Sequence, residues 1–272
     1  MVNGYKPASL AEALEIRARE KVTPYGGGTD LMIHPAENAC YLFLDGVPEL
    51  REIRREGKWV RIGAACTFTQ VLESPLVPQL MKEAVSRIAA PAIRNLGTMG
   101  GNLGNGSAKA DSVLIEFVTD AKLRLCSVQG ERLLPVQAFY KGRKALDLCD
   151  DEIIAEILLP AEGLDNWYYE KVGGRQALAI SRVSFAGLLD TAEGKITRCA
   201  CAFGAVADTV LRFPELEAML VGKTLEEARE AKSAFLAAYD AVIVPNRGRV
   251  SAEFRKSVCQ NLLGDFLRHF GI

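Results

Sequence analysis

The chain has 272 residues with 33 Lys and Arg against 34 Asp and Glu, for a formal net charge of -1. That balance gives no electrostatic ground for nucleic acid or an anionic membrane as partner, and no segment supplies the ~18 uninterrupted apolar residues of a membrane span. A hydrophobic share of 49% points to a packed core, in two modest domains or one large and one small.

The N-terminal MVNGYKPASLAEAL lacks the long apolar run of a secretory leader, so a cytoplasmic protein is expected. PASLAEALEIRAREK predicts a helix opened by a capping box, Ser9 with Glu12, carrying the stripe Leu10, Ala13, Leu14 and Ala18. Val22 to Tyr25 reads as a short strand and CYLFLDG as a buried strand closed by a turn. From Trp59 the alternation of Val60 and Ile62 predicts a half-buried strand. Ser74 followed by Pro75 predicts the start of a further helix, and AKLRLCSVQGERLLPV two strands turning near Gly130. Past Pro160 the linker PAEGLDN precedes two predicted strands, ALAISRVSFAGLLD and KITRCACAFGAVAD, joined by TAEG. Two helices follow, one opened by Thr224 with Glu227 and one with Phe254, Val258, Leu262, Phe266 and Phe270 as its core stripe. Strands and then helices suggest a small α+β domain there.

Seven cysteines, an odd number and scattered, do not suggest a disulfide framework. Cys199 and Cys201 are expected on opposite faces of a strand, and all seven read as buried and structural. His34 and His269 are the only histidines, too few for zinc chemistry or a Ser-His-Asp triad, and His34 beside Pro35 reads as a loop residue. No metal-ligating set is expected.

Two glycine-rich segments carry the functional signal. Gly26-Gly27-Gly28-Thr29-Asp30 follows a predicted strand, and backbone without side chains can bring N–H groups against phosphate oxygens. It lacks the Gly-Lys-Ser/Thr of a mononucleotide loop, and Leu31 stands where a dinucleotide fingerprint needs its third glycine, so alone it is a tight turn or a phosphate site. The second segment, IRNLGTMGGNLGNGSAKAD, reads as a loop in which Gly97, Gly100, Gly101, Gly104 and Gly106 alternate with small hydrogen-bonding residues. Ordering it costs about 1–2 kcal/mol per residue, which a bound ligand could offset. Asp111 is placed to cap the apolar helix that follows. Two such segments fit a ligand with two phosphates.

YGGGTDL followed by AIRNLGTMGGNLGNGSAKAD resembles the two FAD-binding loops of the flavin (medium) subunits of molybdenum hydroxylases, the family of xanthine, carbon monoxide and nicotinate dehydrogenases. The likeness continues through LPVQAFYKGRKALDLCDDEIIAEILLP, YYEKVGGRQALAISRVSFA and NRGRVSAEFRKSVCQNLL, and so covers nearly the whole chain. It implies an α+β fold: a two-part FAD-binding domain of the vanillyl-alcohol oxidase (PCMH) type over 1–165, with subdomains of about 1–55 and 56–165, and a C-terminal domain over 166–272 like that of carbon monoxide dehydrogenase flavoproteins. It implies that Pro24, Tyr25, Gly26, Gly27, Gly28, Thr29, Asp30 and Leu31 hold the FAD diphosphate from one side and Thr98, Gly100, Gly101 and Asn102 from the other. Asp111 would reach the adenosine or ribityl portion, Ile88 and Ala89 would lie near the flavin ring, Ile154 would pack on the isoalloxazine or adenine, and Lys171 would stand beside the flavin. The family's usual Ala-Ser-Pro is replaced by GSAKAD, whose Lys109 either helps bind the diphosphate or points into solvent.

The implied function is electron transfer. FAD would take electrons from 2Fe-2S clusters on a small partner subunit and pass them to NAD or another acceptor, while a molybdopterin-binding large subunit hydroxylates the substrate. No acid or base catalyst is expected on this chain, and Lys171 would tune the flavin. The alternatives are a self-standing FAD-dependent oxidoreductase of the same fold and a non-catalytic scaffold whose glycines are only turns.

Overall fold

The computed structural model describes residues 3–272. In chain order they form β1 (Asn3–Tyr5), α1 (Leu10–Arg19), β2 (Thr23–Tyr25), β3 (Cys40–Phe43), β4 (Ile53–Glu56), β5 (Trp59–Gly63), α2 (Phe68–Glu73), α3 (Gln79–Ser86), α4 (Pro91–Arg94), α5 (Met99–Gly104) and α6 (Asp111–Val118). There follow β6 (Lys122–Ser127), β7 (Gly130–Pro135), α7 (Val136–Phe139), β8 (Tyr140–Gly142), β9 (Ala145–Leu146) and β10 (Ile153–Pro160). The remainder is β11 (Trp167–Val172), β12 (Val183–Ala192), β13 (Lys195–Gly204), β14 (Leu211–Arg212), α8 (Pro214–Glu217), α9 (Leu225–Val242) and α10 (Ala252–His269). Contacts divide the chain into two units, one of residues 1–78, 88–107 and 120–161, the other of 79–87, 108–119 and 162–272.

In the first unit Ser9 caps α1 as its sequence predicts, but the reciprocal half of the expected capping box is shifted by one residue, Glu12 reaching the N–H of Ala8 rather than that of Ser9. Ser9 Oγ accepts from the Glu12 N–H at 3.2 Å, and the Glu12 carboxylate accepts from the Ala8 N–H at 2.7 Å. The helix is the crossover that parallel pairing requires, because β1, β3 and β2 form a parallel sheet in the order β1-β3-β2. Its Ala13 and Ile16 are buried with Leu42, Leu50, Ile153 and Ala155. The last two belong to β10, the central strand of an antiparallel sheet in the order β4-β5-β10-β6-β7. The β6–β7 hairpin turns through Val128 and Gln129, next to the expected Gly130.

Two expectations are corrected here. The helix predicted from Ser74 begins at Gln79, while Ser74 is the C-cap of α2. Pro78 disfavours helical geometry at Val77, so a helix started at Pro75 cannot run on. The second glycine segment is not an open loop either: its centre is α5, with Thr98 as N-cap.

In the second unit β11, β12, β13 and β14 form an antiparallel sheet in that order. The strand–turn–strand expected around TAEG is the β12–β13 pair, closed by Ala192↔Lys195. Thr224 and Glu227 cap α9 reciprocally. Phe185, Phe203, Phe235, Tyr239 and Phe266 form the core with Cys199 and Cys201. These cysteines share a face, contrary to the expectation, because residues two apart on a strand point the same way. Every residue of α6 is buried, as suits a helix apolar nearly all round. Asp111 is its first residue rather than its cap, Ala110 holding that position.

Candidate functional site

β2 delivers the chain into the first glycine loop, which ends in a single 3-10 turn at Leu31–Ile33. The Tyr25 ring packs on Tyr41 and Phe43, with centroids 5.7 and 4.9 Å away. Gly28 has φ +69°, and a Cβ there would meet the Tyr25 hydroxyl, while a Cβ on Gly27 would run into the Leu96 carbonyl. Glycine is what lets these backbones pass. Among the described residues the N–H groups of Gly26, Gly27, Gly28 and Thr29 have no hydrogen-bond partner. A half-buried run of unpaired donors is rare within a protein and forms a concavity for anionic oxygens.

The second segment works differently. The Gly100 N–H donates to the Ala64 carbonyl at 2.8 Å, Met99 to Cys66 at 3.0 Å and Asn102 to Thr98 at 3.0 Å, and Thr98 Oγ1 accepts from Gly101 at 3.1 Å. These donors are already engaged. What α5 adds is a wall with little side chain: Gly100 packs on Ala64, where a Cβ would come within 2.6 Å of the Ala64 Cβ, and a Cβ on Gly104 would find nothing nearer than Ile154 at 3.8 Å.

Both segments border one cavity of about 550 Å³ in the first unit. It gathers Pro24, Gly26, Gly27, Gly28, Thr29, Asp30, Leu31, Thr98, Gly100, Gly101, Asn102 and Ile154. Tyr25 and Ala89 are not among its lining residues. Ala89 has φ +44°, and its carbonyl and that of Ile88 accept from Arg94 Nη1 at 2.9 and 2.7 Å. The lining also includes Arg17, His34, Phe68, Lys144, Leu148 and Glu152, which sequence reasoning did not assign to a site. They lie outside both glycine segments, and only the tertiary contacts bring them in. Arg132 grips Glu152 at 2.6 and 2.8 Å and holds its carboxyl below the ordinary range. Arg17 donates to the Val22 carbonyl, and burial lowers its pKa against the pull of Asp150 and Asp151.

Asp111 and Lys171 belong to the second unit, where they form a buried ion pair of 2.7 Å. Lys171 Nζ also donates to the Arg87 carbonyl at 2.8 Å, and Ser181 Oγ donates to Asp111 Oδ1 at 2.7 Å. Burial pushes the Asp111 carboxyl up, with Lys171 and the hydroxyls of Ser181 and Ser184 pulling the other way. Lys109 is exposed.

A cavity walled by one glycine loop with free donors and one glycine-rich helix defines a cofactor-binding protein of the nucleotide-cradling kind. Residues 1–162 match the family model of the FAD binding domain in molybdopterin dehydrogenase, and residues 167–270 that of the CO dehydrogenase flavoprotein C-terminal domain. The chain is 31% identical over 274 residues to the xanthine dehydrogenase FAD-binding subunit of Escherichia coli, covering 95% of this chain and 92% of that one. It is 32% identical over 278 residues to the nicotinate dehydrogenase FAD-subunit of Eubacterium barkeri, with coverage of 95% and 92%. Among solved structures it is similar to carbon monoxide dehydrogenase from Hydrogenophaga pseudoflava, with a TM-score of 0.91 and 27% identity over 98% of this chain and 96% of that one. The chain belongs to the FAD-binding subunits of the molybdenum hydroxylase family, oxidoreductases whose cofactor here is FAD. The α+β architecture expected from the sequence is the one found.

Proposed function

We propose that this chain is the electron-transfer subunit of a molybdenum hydroxylase complex, assembled with a molybdopterin-binding large subunit and a 2Fe-2S small subunit. FAD, when bound, supplies the redox centre between the 2Fe-2S clusters and NAD or another acceptor. The reading is supported chiefly by the unpaired N–H groups of Gly26 to Thr29 beside a cavity of about 550 Å³, a size within the usual range for cofactors. Those donors hold diphosphate oxygens, and Gly100 and Gly101 let the diphosphate come close to the backbone of α5. Pro24 and Leu31 frame the loop, with Tyr25 packed beneath it. Asp30 lines the same cavity and would belong to the loop's hold on the cofactor. Thr98 and Asn102 fix the opposite wall, and Ile154 offers an apolar surface to a ring. The assignment of Ala89, Asp111 and Lys171 to the same cofactor is a separate part of the proposal, tested by Lys171→Met, which should shift the flavin reduction potential or weaken its binding.

The chain expressed with its neighbours should purify yellow and together with two other chains, one showing a 2Fe-2S absorption spectrum. Isolation as a single chain that turns over a substrate unaided would overturn the electron-transfer reading in favour of a self-standing oxidoreductase. The cavity assignment has its own test in Gly104→Leu. Gly104 lines the cavity and a Cβ there meets only Ile154 at 3.8 Å, so the melting temperature of the cofactor-free protein should hold or rise. FAD affinity should fall at least about tenfold by fluorescence titration, as overlap with a fitted ligand implies. Unchanged affinity would place the cofactor elsewhere.

A further inference from the structure

The cavity has a cation that neither glycine segment supplies. Lys144 lies at the tip of the β8–β9 hairpin, where Tyr140 pairs with Leu146 and Gly142 with Ala145, leaving Arg143 and Lys144 as a two-residue loop. Two contacts fasten this hairpin to the second glycine segment. The Tyr140 hydroxyl donates to the Leu103 carbonyl at 3.2 Å. Gly106, at φ +62°, lies so close that a Cβ on it would come within 2.9 Å of the Lys144 Cα. Lys144 itself sits at φ +55°, in the left-handed region that glycine or asparagine normally fills at the second position of such a loop. Backbone geometry alone would select glycine there. A lysine held in that conformation is a reason to look for a role of its side chain.

Lys144 lines the cavity, and among the described residues its ammonium has no hydrogen-bond or ion-pair partner. Three neighbouring cations are otherwise engaged. Lys141 pairs with Asp147 at 3.1 Å, and Arg132 with Asp147 and Glu152. Arg17 is tied to the Val22 carbonyl. Of the two carboxylates that line the cavity, Glu152 is the one held by Arg132, and Asp30 makes no ion pair among the described residues. A diphosphate carries two negative charges, whereas the loop N–H groups supply only dipoles, and Leu148, Ile153 and Ile154 make part of the lining apolar. An anion in such surroundings gains from a formal counter-charge, and lysine binds phosphate as a point charge on a flexible stem. We infer that Lys144 is a further cofactor-binding residue, placing its ammonium against the diphosphate of FAD. The inference rests on the reading of this cavity as the FAD site.

The test uses the full chain, freed of flavin and titrated with FAD at low and at high salt. Lys144→Gly and Lys144→Gln should each weaken binding about fivefold at low salt, and the gap should close at high salt, as for a partly exposed charge contact. Lys144→Arg should keep the parent's affinity. Glycine adopts the left-handed conformation freely, so Lys144→Gly should melt at or above the parent's temperature, which separates a lost contact from a damaged fold. Unchanged affinity of both neutral variants at low salt overturns the role of Lys144. A deficit that persists undiminished at high salt also overturns it. A parent chain that takes up no FAD under any condition is a different failure, that of the cofactor reading beneath it.

Discussion

Glu116 and Glu156 are 0% and 2% exposed, and burial raises the pKa of each. For Glu116 nothing opposes it: among the described residues neither oxygen has a hydrogen-bond partner, and the carboxyl lies well above its ordinary value. For Glu156 the push of burial is outweighed by Arg54 at 2.6 Å, Arg61 at 3.0 Å and Arg124 at 3.3 Å, and the pKa falls. The two therefore act on stability with opposite signs. The raised pKa of Glu116 makes its contribution fully present below about pH 4.3, the unfolded value, and lost as pH rises toward the folded pKa. Glu116→Gln should match the parent's urea midpoint near pH 4 and exceed it at pH 8. Parallel pH profiles for the two proteins would mean that Glu116 is not held neutral. The lowered pKa of Glu156 reverses the direction: its contribution is present above the unfolded value and lost as pH falls through the folded one. Glu156→Gln should lose about 2 kcal/mol at pH 7, less than for a fully buried pair because the arginines are partly in water, and the loss should shrink in acid.

Among the elements, α10 shows what a sequence pattern conveys and where it stops. The stripe Phe254, Val258, Leu262, Phe266 and Phe270 keeps a strict spacing of four, while a helix turns 3.6 residues, so each step drifts about 40° around the axis. Phe266 ends in the core against Phe185 and Tyr168, but Phe254 is 44% exposed, which corrects its expected place in that core. Phe266→Ala should cost about 3–5 kcal/mol in chemical denaturation and Phe254→Ala about 0.5 or less. A comparable loss at both would show that the face of α10 is misassigned. Signals complete within one turn were legible: the N-cap at Ser9, the capping pair at Thr224, and the β6–β7 and β12–β13 turns. Thr67 with Gln70 is an equally clear capping box, opening α2 a few residues after the strand that starts at Trp59. The helical state of α5 was not legible, because six residues with three glycines have poor intrinsic propensity and are held by tertiary bonds to Ala64 and Cys66.

For the molecule as a whole, the candidate site was legible where glycines cluster and invisible where only folding makes neighbours, as with Arg17, Lys144 and Glu152. The two glycine segments differ in a way that composition could not show, and amide exchange should report it. FAD should slow exchange at Gly26 to Thr29, whose N–H groups are unpaired, far more than at Gly100 to Asn102, which are already bonded within the protein. Equal protection of both would remove the distinction between donor loop and bare wall. The interleaving of the two units also bears on how the chain is made. α6 leaves the ribosome ahead of β12 and β13, the strands it packs against, and all of its residues are buried only once they are there. Until then the nascent chain carries an uncovered apolar helix, the sort of surface that holding chaperones bind and that other nascent chains aggregate upon. A stop codon placed before Val183 should therefore yield insoluble protein, even though the stretches that line the glycine-walled cavity have by then all been translated.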